Sequence, residues 1–287
     1  MSLTLPVEPL ENSAFFEGSE SGADLYEREL AQIFARFWMP VGRAEELADI
    51  GGYFTWERTR IPTVMVRSVD GQIRGYYNSC RHRGAPVVRT PTGRARAFRC
   101  QYHSWTYDTF GKLMAIPDER DFGNIDRCAH SLVPLRLAEL GGWLWIDQSG
   151  KAPELATALG ALHPWIEGRS HYRIAGRQAL IVDANWKRVV AHLSSRSEGR
   201  EQYFPNICFT EQDGELSMMA AWPRDEATTE VELVVCVVED AHAPSPEDLE
   251  RRLQDAVSGL RRDSATSGMP PVGDFTTEWS RALSANA

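Results

Sequence analysis

The amino-acid sequence predicts an α+β fold, in which helical segments flank a region of short antiparallel strands. Between Tyr26 and Phe37, apolar residues recur at the spacing of one helix face. From residue 51 to residue 145 the chain alternates short apolar stretches with glycine and proline, which is typical of a small antiparallel β domain. Ser245 and Pro246 provide a helix start before a second stretch with helical periodicity. These observations predict helices towards both ends of a chain whose centre is mostly β.

The predicted elements are separated by recognisable turns. The first helix is expected to end at Pro40, because proline disrupts a helix interior. The dipeptides Asp70-Gly71 and Asp213-Gly214 predict two hairpins, since both residue types favour tight turns. Strands are predicted at 61–67, 73–77, 142–147, 178–183, 206–210, 216–222 and 230–239. We therefore divide the chain into an N-terminal helical segment (1–40), a β domain (41–150) and a C-terminal α+β domain (151–287).

Composition and charge exclude several classes of protein. The chain has 287 residues, of which 43% are hydrophobic and 25% charged, as in an ordinary globular protein. Its formal net charge of −9 argues against a nucleic-acid partner, because such proteins are usually basic. The sequence contains no apolar run long enough to span a bilayer and does not begin like a secretory signal. A cytoplasmic protein that does not bind membranes is therefore expected.

Positive charge is concentrated in one part of this acidic chain. Seven arginines and no acidic residue lie between positions 74 and 99: Arg74, Arg81, Arg83, Arg89, Arg94, Arg96 and Arg99. One interpretation is a solvated loop surface. The other is a basic docking face for an acidic electron-transfer partner, since opposite charges steer two proteins together.

Two cysteine–histidine pairs carry the chemistry of this sequence. Cys80 and His82 are one residue apart, and after 17 further residues come Cys100 and His103, two residues apart. Two Cys and two His can hold zinc, but zinc sites usually take two Cys from one turn and two His from another. Here each loop supplies one of each, which suits a two-iron cluster with thiolates on one iron and imidazoles on the other. The spacing therefore predicts a 2Fe-2S cluster on these four side chains.

The residues around the two pairs resemble a known family. The loops read CRHRGAPV and CQYHSWTYD, and they are similar to the Rieske domain of the ring-hydroxylating oxygenases, non-haem iron enzymes that insert dioxygen into aromatic and related substrates. Respiratory Rieske proteins carry an extra Cys in each loop, where this chain has Ala85 and Tyr102. Further likeness to the oxygenase α subunit is found at 26–51, 110–113, 142–145, 183–187 and 203–206.

The resemblance has implications for fold, cofactors and partners. It implies an antiparallel β Rieske domain inserted in a helix-grip-like α+β domain with a twisted antiparallel sheet, to which residues 1–40 and 151–287 would belong. It implies that the iron held by Cys80 and Cys100 stays ferric, while the iron held by His82 and His103 accepts the electron. Electrons are expected from a reductase or ferredoxin. The α-type subunits are expected to form a homo- or hetero-trimer that hydroxylates an aromatic or related small organic substrate at a mononuclear Fe(II).

The sequence departs from the family where that second iron should be bound. In the family, Asn-Trp-Lys leads into Glu-Asn-x-x-Asp-x-Tyr-His-x4-His, and the two His bind the iron together with a later Asp as a facial triad. Counting from the Asn at position 185, the bridging Asp position is occupied by Ser195, and the two His positions are occupied by Glu198 and Tyr203. The motif is therefore not matched.

The residues that could replace this triad are few. Only His192 and His242 follow Lys187, and the remaining combination with Asp255 has no support in its spacing. Catalytic residues thus stay unassigned. Either the subunit lost its iron and kept the cluster, or segments of the iron-binding region are missing from the sequence.

Three functions follow from these alternatives. The first is an oxygenase α-subunit component that receives electrons and passes them to a mononuclear iron. The second is an electron-transfer or accessory subunit that lacks the iron site and has no oxygenase activity of its own. The third is a colourless zinc module.

Overall fold

The chain forms two compact units. The computed structural model describes residues 22–59, 61–195, 201–260 and 281–283. One unit comprises residues 38–152, and the other comprises residues 1–37 together with 153–287. In the sequence, the first unit therefore lies between the two segments that form the second. No helix in the described ranges is long and apolar enough to cross a membrane.

The unit of residues 38–152 is built from short antiparallel strands. Its strands are β1 (Met39–Arg43), β2 (Gly52–Trp56), β3 (Thr63–Arg67), β4 (Ile73–Tyr77), β5 (Thr92–Arg94), β6 (Ala97–Arg99), β7 (Thr106–Asp108), β8 (Leu113–Ala115), β9 (Arg136–Leu140) and β10 (Trp143–Asp147). They form three sheets with the orders β1-β10-β9, β4-β3-β2-β5 and β6-β7-β8. Short 3₁₀ helices lie at Ala44–Leu47 and Glu119–Phe122. This arrangement confirms the antiparallel β domain that the sequence predicts.

The strands of this unit are joined by tight turns and packed around one hydrophobic core. The hairpin predicted at Asp70-Gly71 is confirmed, because β3 and β4 pair around it and Gly71 has a φ of +82°. The core contains apolar side chains from several strands together with both cysteines of the motif, namely Val64, Val66, Tyr76, Cys80, Phe98, Cys100, Trp105, Tyr107 and Leu113. The cysteines therefore lie inside the hydrophobic core of this unit.

The second unit packs helices on one antiparallel sheet. Its elements are α1 (Gly22–Glu29), a π-helix (Leu30–Phe34), α2 (Leu155–Leu159), α3 (Leu162–Glu167), β11 (Arg173–Val182), α4 (Trp186–Ser195), β12 (Glu201–Tyr203), β13 (Ile207–Gln212), β14 (Glu215–Pro223), β15 (Thr229–Val237) and α5 (Pro246–Val257). The strand order is β11-β15-β14-β13-β12, and every pairing is antiparallel. Together with the inserted unit, this is the α+β class expected from the sequence.

Helices α4 and α5 share a core with the long strands of the sheet. Val189 and Leu193 of α4, and Leu249 and Leu253 of α5, are buried against Val231, Leu233 and Val235 of β15. The predicted start of α5 is confirmed, because the Ser245 hydroxyl accepts the Asp248 N–H at 3.1 Å and Pro246 opens the helix.

The end of the first helix differs from the prediction. The α-helix gives way to a π-helix that ends at Phe34, and the Ala35 N–H donates to the Leu30 carbonyl at 3.0 Å. Pro40 lies in β1, opposite Trp145 of β10, where the register shifts before Gly42. Of the apolar residues that predicted the helix, only Phe37 lies beyond its end, and the next residues, Met39–Arg43, instead pair with β10.

Candidate metal centre

The first metal-binding loop follows β4 and is closed by its own backbone. The Cys80 N–H donates to the Ala85 carbonyl at 2.7 Å, and the Gly84 N–H donates to the Cys80 carbonyl at 2.7 Å. Gly84 has a φ of +78°, in the left-handed region where a Cβ is costly. These two bonds form a tight turn from which Cys80 and His82 project.

The second loop, between β6 and β7, has the same construction. The Cys100 N–H donates to the Trp105 carbonyl at 2.9 Å, and the Ser104 N–H donates to the Cys100 carbonyl at 3.0 Å. Ser104 also takes a positive φ of 57°. The partner residues lie at the same offsets from the cysteine as in the first loop. The structure therefore presents two Cys–His pairs from two equivalent turns.

Asn78 anchors the first loop and was not singled out by the sequence analysis. Its buried amide oxygen accepts the N–H groups of Val87 and Val88 at 2.9 Å each. Its amide nitrogen donates to the Val88 carbonyl at 2.7 Å. The side chain thus satisfies three backbone groups on the far side of the loop. Nothing in the local sequence distinguishes this Asn from one in an ordinary turn.

The four donors surround one cavity of about 250 Å³, with the thiols at its buried end. Cys80 and Cys100 are each 2% exposed, whereas His82 is half-buried and His103 is exposed. The two imidazole rings lie with centroids 4.5 Å apart, almost perpendicular to each other. Arg83, Ala85 and Tyr102 complete the lining. One end of the site is therefore apolar and thiol-bearing, and the other reaches solvent.

This arrangement fits a cluster better than a single ion. Across the described ranges, no three His, Cys, Asp or Glu side chains converge as the ligands of one metal ion. A tetrahedral zinc site would need all four donors within about 2.0–2.3 Å of one point. Two thiols at one end and two imidazoles at the other instead match the donor set of a two-iron Rieske centre.

Aromatic side chains pack around the donors. The Trp105 ring stacks on the His82 ring with centroids 5.0 Å apart and planes 12° apart. The His130 ring meets the same Trp105 ring edge-on at 5.8 Å. Tyr107 is fully buried, its hydroxyl lies 3.3 Å from Cys80 Sγ, and that hydroxyl accepts the Arg81 N–H at 3.0 Å. Tyr107 thus shields the buried thiol end of the site, Trp105 covers one face of His82, and His130 is an additional neighbour that sequence reasoning did not identify.

Burial shifts the pKa values of titratable side chains in the site. It raises the pKa of the Cys80 thiol, so the thiol proton must be displaced when a metal binds. Burial lowers the pKa of His82, and the neighbouring His103 and Arg83 lower it further. The neutral imidazole, which is the form that binds metals, is therefore favoured. Burial also raises the pKa of Tyr107, so its hydroxyl keeps its proton.

The structure gives no support to a mononuclear iron site on the remaining candidates. His192 lies on α4 and is half-buried, His242 is exposed in the segment after β15, and Asp255 is exposed on α5. The part of the chain that the structure describes contains no three such side chains gathered around one point. Glu198 lies outside the described residues. The mononuclear iron expected from the family thus has no matching ligand set among those described.

Comparison with known proteins agrees with this geometry. The family described as the Rieske [2Fe-2S] domain matches residues 37–136. The chain is 34% identical over 171 residues to chlorobenzene dioxygenase subunit alpha from Cupriavidus sp. (strain PS12), with 57% of this chain and 38% of the relative covered. It is 30% identical over 165 residues to the glycine betaine monooxygenase oxygenase subunit from Chromohalobacter salexigens, with 56% and 37% covered. The match thus spans less than two fifths of these relatives.

A solved structure extends the likeness beyond the Rieske unit. The crystal structure of the quaternary ammonium Rieske monooxygenase CntA in complex with an inhibitor superposes with a TM-score of 0.70, and it covers 82% of this chain and 80% of its own. At 20% identity, this similarity shows a shared fold. The chain therefore contains a Rieske [2Fe-2S] domain and is related to the α subunits of the Rieske non-haem iron oxygenases.

Proposed function

We propose that this chain is a component of a Rieske-type oxygenase that receives single electrons in a 2Fe-2S cluster. The observation that carries the proposal is the single cavity lined by Cys80, His82, Cys100 and His103. The cysteine thiolates would hold one iron and the neutral imidazoles the other. Two imidazoles in place of two thiolates make the cluster less negative, and its reduction is then easier than in all-Cys clusters. When bound, such a cluster supplies one-electron transfer.

The two ends of the site differ in their exposure to water. Tyr107 excludes water from the cysteine end, where both thiols are buried, and Trp105 covers one face of the His82 ring. At the other end the exposed His103 gives the site a path to the surface. Electrons would pass at this end because transfer requires close approach of the two redox centres. The outer ring nitrogens of His82 and His103 would hold or release a proton as the charge of the site changes.

Electrons would come from a reductase or ferredoxin, and the oxygenase reaction would hydroxylate an aromatic or related small organic molecule. The relatives differ in what their names describe, since one is a chlorobenzene dioxygenase and another a glycine betaine monooxygenase. The described residues of this chain do not fit a mononuclear iron, so we assign no step to such an iron here. The trimer of α-type subunits would then be a hetero-trimer, in which the hydroxylating iron is on an iron-bearing partner subunit.

The second candidate function is an accessory electron-transfer subunit with no oxygenase activity of its own. The mismatch at Ser195 and Tyr203 favours it, because these residues stand where the family has iron-site residues. Oxygen consumption with a reductase, measured for the chain alone and then with an iron-bearing α subunit, separates the two candidates. Activity of the chain by itself supports an oxygenase with its own iron. Activity of the mixture above that of the α subunit by itself supports a component that supplies a partner's iron, and a mixture no more active than the α subunit supports the accessory role.

The first test counts iron and acid-labile sulfide in purified protein of confirmed intact mass. Two irons and two sulfides per chain would support a cluster-only subunit, and three irons with two sulfides would show a mononuclear site as well. Zinc without sulfide would overturn the proposal. As a matched pair, Cys80→Ser should lose the cluster, whereas Cys128→Ser, at an exposed cysteine, should keep it.

A further inference from the structure

The two cluster-binding loops are separate in the sequence, and no disulfide joins them. The first loop runs from Cys80 to Ala85 and the second from Cys100 to Trp105, and all five cysteines of the chain are free. A bound cluster would bridge the loops, because each loop supplies one thiolate and one imidazole. Every other link between the loops is noncovalent, and its strength affects how readily a bound cluster is lost.

At the buried end of the site, Tyr107 links the two loops. Tyr107 lies on β7, shortly after the second loop, and its hydroxyl lies 3.3 Å from Cys80 Sγ. The same hydroxyl accepts the Arg81 N–H of the first loop at 3.0 Å. Because Tyr107 is fully buried, water does not compete for this link. The thiol end of the site is therefore held from inside the core.

At the histidine end, Arg89 and Tyr102 form a second link. The Arg89 guanidinium lies over the Tyr102 ring, with its central carbon 4.9 Å from the ring centroid. A cation within about 6 Å of the centroid is attracted to the negative face of an aromatic ring. Tyr102 directly precedes His103 and lines the cluster cavity, although the residue is 63% exposed. We call the pair of Arg89 and Tyr102 the clasp.

The backbone next to Arg89 is held in place by Asn78. Asn78 Oδ1 accepts the N–H groups of Val87 and Val88, and its amide nitrogen donates to the Val88 carbonyl. Asn78 is buried, so these three bonds fix the chain immediately before Arg89. A guanidinium on a fixed backbone loses less conformational freedom when it settles on a ring. The same side chain that anchors the first loop therefore also positions one half of the clasp.

We propose that the clasp holds the two loops together at the histidine end and thereby retains the cluster. The inference rests on the proposed function, because it requires the cluster. Loss of a cluster should begin at this end, since His103 is exposed whereas Cys80 and Cys100 are each 2% exposed. When the clasp opens, the second loop can move away from the first, and a chelator gains access to the imidazole ligands. Arg89 and Tyr102 are thus positioning residues, which act through the loops.

The rate of cluster loss measures the contribution of the clasp. The purified full-length protein is reduced with dithionite and mixed with an excess of 2,2′-bipyridine, and the colour of the iron–bipyridine complex gives the rate. This chelator is neutral, so removing an arginine does not change its local concentration. Loss of an exposed cation–π contact shifts an equilibrium by about two- to fivefold. Arg89→Ala and Tyr102→Ala should therefore each raise the rate about threefold.

Combined and conservative variants separate a clasp from two independent structural effects. The double variant with Arg89→Ala and Tyr102→Ala should lose its cluster no faster than either single variant, because the two residues contribute one contact. Tyr102→Phe keeps the aromatic face and should retain the wild-type rate. Arg94→Ala is the matched control and should also retain it, since Arg94 lies 3.4 Å from a carboxylate oxygen of Asp49 and not over a ring.

Four results would overturn the proposal. Unchanged rates in both single variants would show that the contact does not hold the loops. A double variant about ninefold faster than the wild type would show two independent effects. A Tyr102→Phe rate equal to that of Tyr102→Ala would show that the ring face is not the cause. A lower urea midpoint in Arg89→Ala than in Arg94→Ala would assign the faster loss to global unfolding.

Failure of the proposed function has a different signature. A wild-type protein purified without iron and sulfide would contradict the cluster itself, whereas the four results above are obtained on protein that contains it. The two failures are therefore distinguishable.

Discussion

Removing the Tyr107 hydroxyl should lower the reduction potential of the cluster. The hydroxyl lies 3.3 Å from Cys80 Sγ and accepts the Arg81 N–H at 3.0 Å, so its own proton points to the sulfur when that sulfur is a metal-bound thiolate. Reduction adds negative charge to the cluster. A hydrogen bond donated to its ligand therefore stabilises the reduced form more than the oxidised form.

The magnitude follows from the energy of one hydrogen bond. A buried neutral bond contributes about 1 kcal/mol net. For one electron, about 1.4 kcal/mol corresponds to about 59 mV, so the Tyr107→Phe substitution should lower the potential by about 40 mV. The ring stays in the core, which keeps the packing and isolates the effect of the hydroxyl.

Protein-film voltammetry on the wild type and on Tyr107→Phe measures the difference directly. Tyr53→Phe is the matched control, because the Tyr53 hydroxyl bonds to Thr90 at 2.7 Å on the exposed surface of the same unit. The control should leave the potential unchanged. An unchanged or raised potential in Tyr107→Phe, with the cluster intact, would refute the reasoning.

Three further predictions concern ligation, pH and stability. His82→Ala should abolish the visible absorption and EPR signal of the cluster while leaving the far-UV circular dichroism similar, and a normal Rieske spectrum would contradict the ligand assignment. The hydrogen bonds from Arg74 lower the pKa of Asp70 to about 2. Because this folded-state pKa lies below the unfolded value of about 3.9, the stability that Asp70 contributes is present above about pH 4 and is lost as the pH falls towards 2. NMR titration of Asp70 should give a pKa near 2, and Arg74→Gln should raise it; an equal pKa in both proteins would show that the pair has no effect. In the other unit, the carboxylate of Glu29 is 1% exposed and accepts from both Lys187 Nζ and Trp186 Nε1. Lys187→Ala should therefore lower the free energy of unfolding by about 3–5 kcal/mol, since it removes a cation from a buried carboxylate, and a loss below about 1 kcal/mol in urea unfolding would show that this ion pair contributes little to stability.

Local features of the fold could be predicted because neighbouring residues encode them. The turn at Asp70-Gly71 depends on a backbone conformation that glycine adopts at little cost. The start of α5 depends on a hydrogen bond from the Asp248 N–H to the Ser245 side chain, three residues away. The end of the first helix depends on more distant contacts, and Pro40 is accommodated in β1 by its pairing with Trp145. The prediction was wrong there because strand pairing outweighed the helical pattern.

The candidate site was likewise predictable from the sequence only in part. The spacing of Cys80, His82, Cys100 and His103 by itself predicted a cluster, because donor type and order within each loop restrict which metal centre can be held. The sequence also showed that the iron-binding motif after Lys187 is not matched. It did not indicate that Asn78 anchors the first loop, since its partners are backbone groups nine and ten residues away.

What only the tertiary structure decided is which side chains meet. The seven arginines between positions 74 and 99 look alike in the sequence, yet Asp70 and Asp49 neutralise Arg74 and Arg94, while Arg89 lies over Tyr102. Tyr107 reaches Cys80 from 27 residues away. Residue types and spacings determine which ligands a loop can offer. Contacts between distant segments depend on how strands pair and pack, so the charge of the surface and the environment of the cluster follow only from the folded chain.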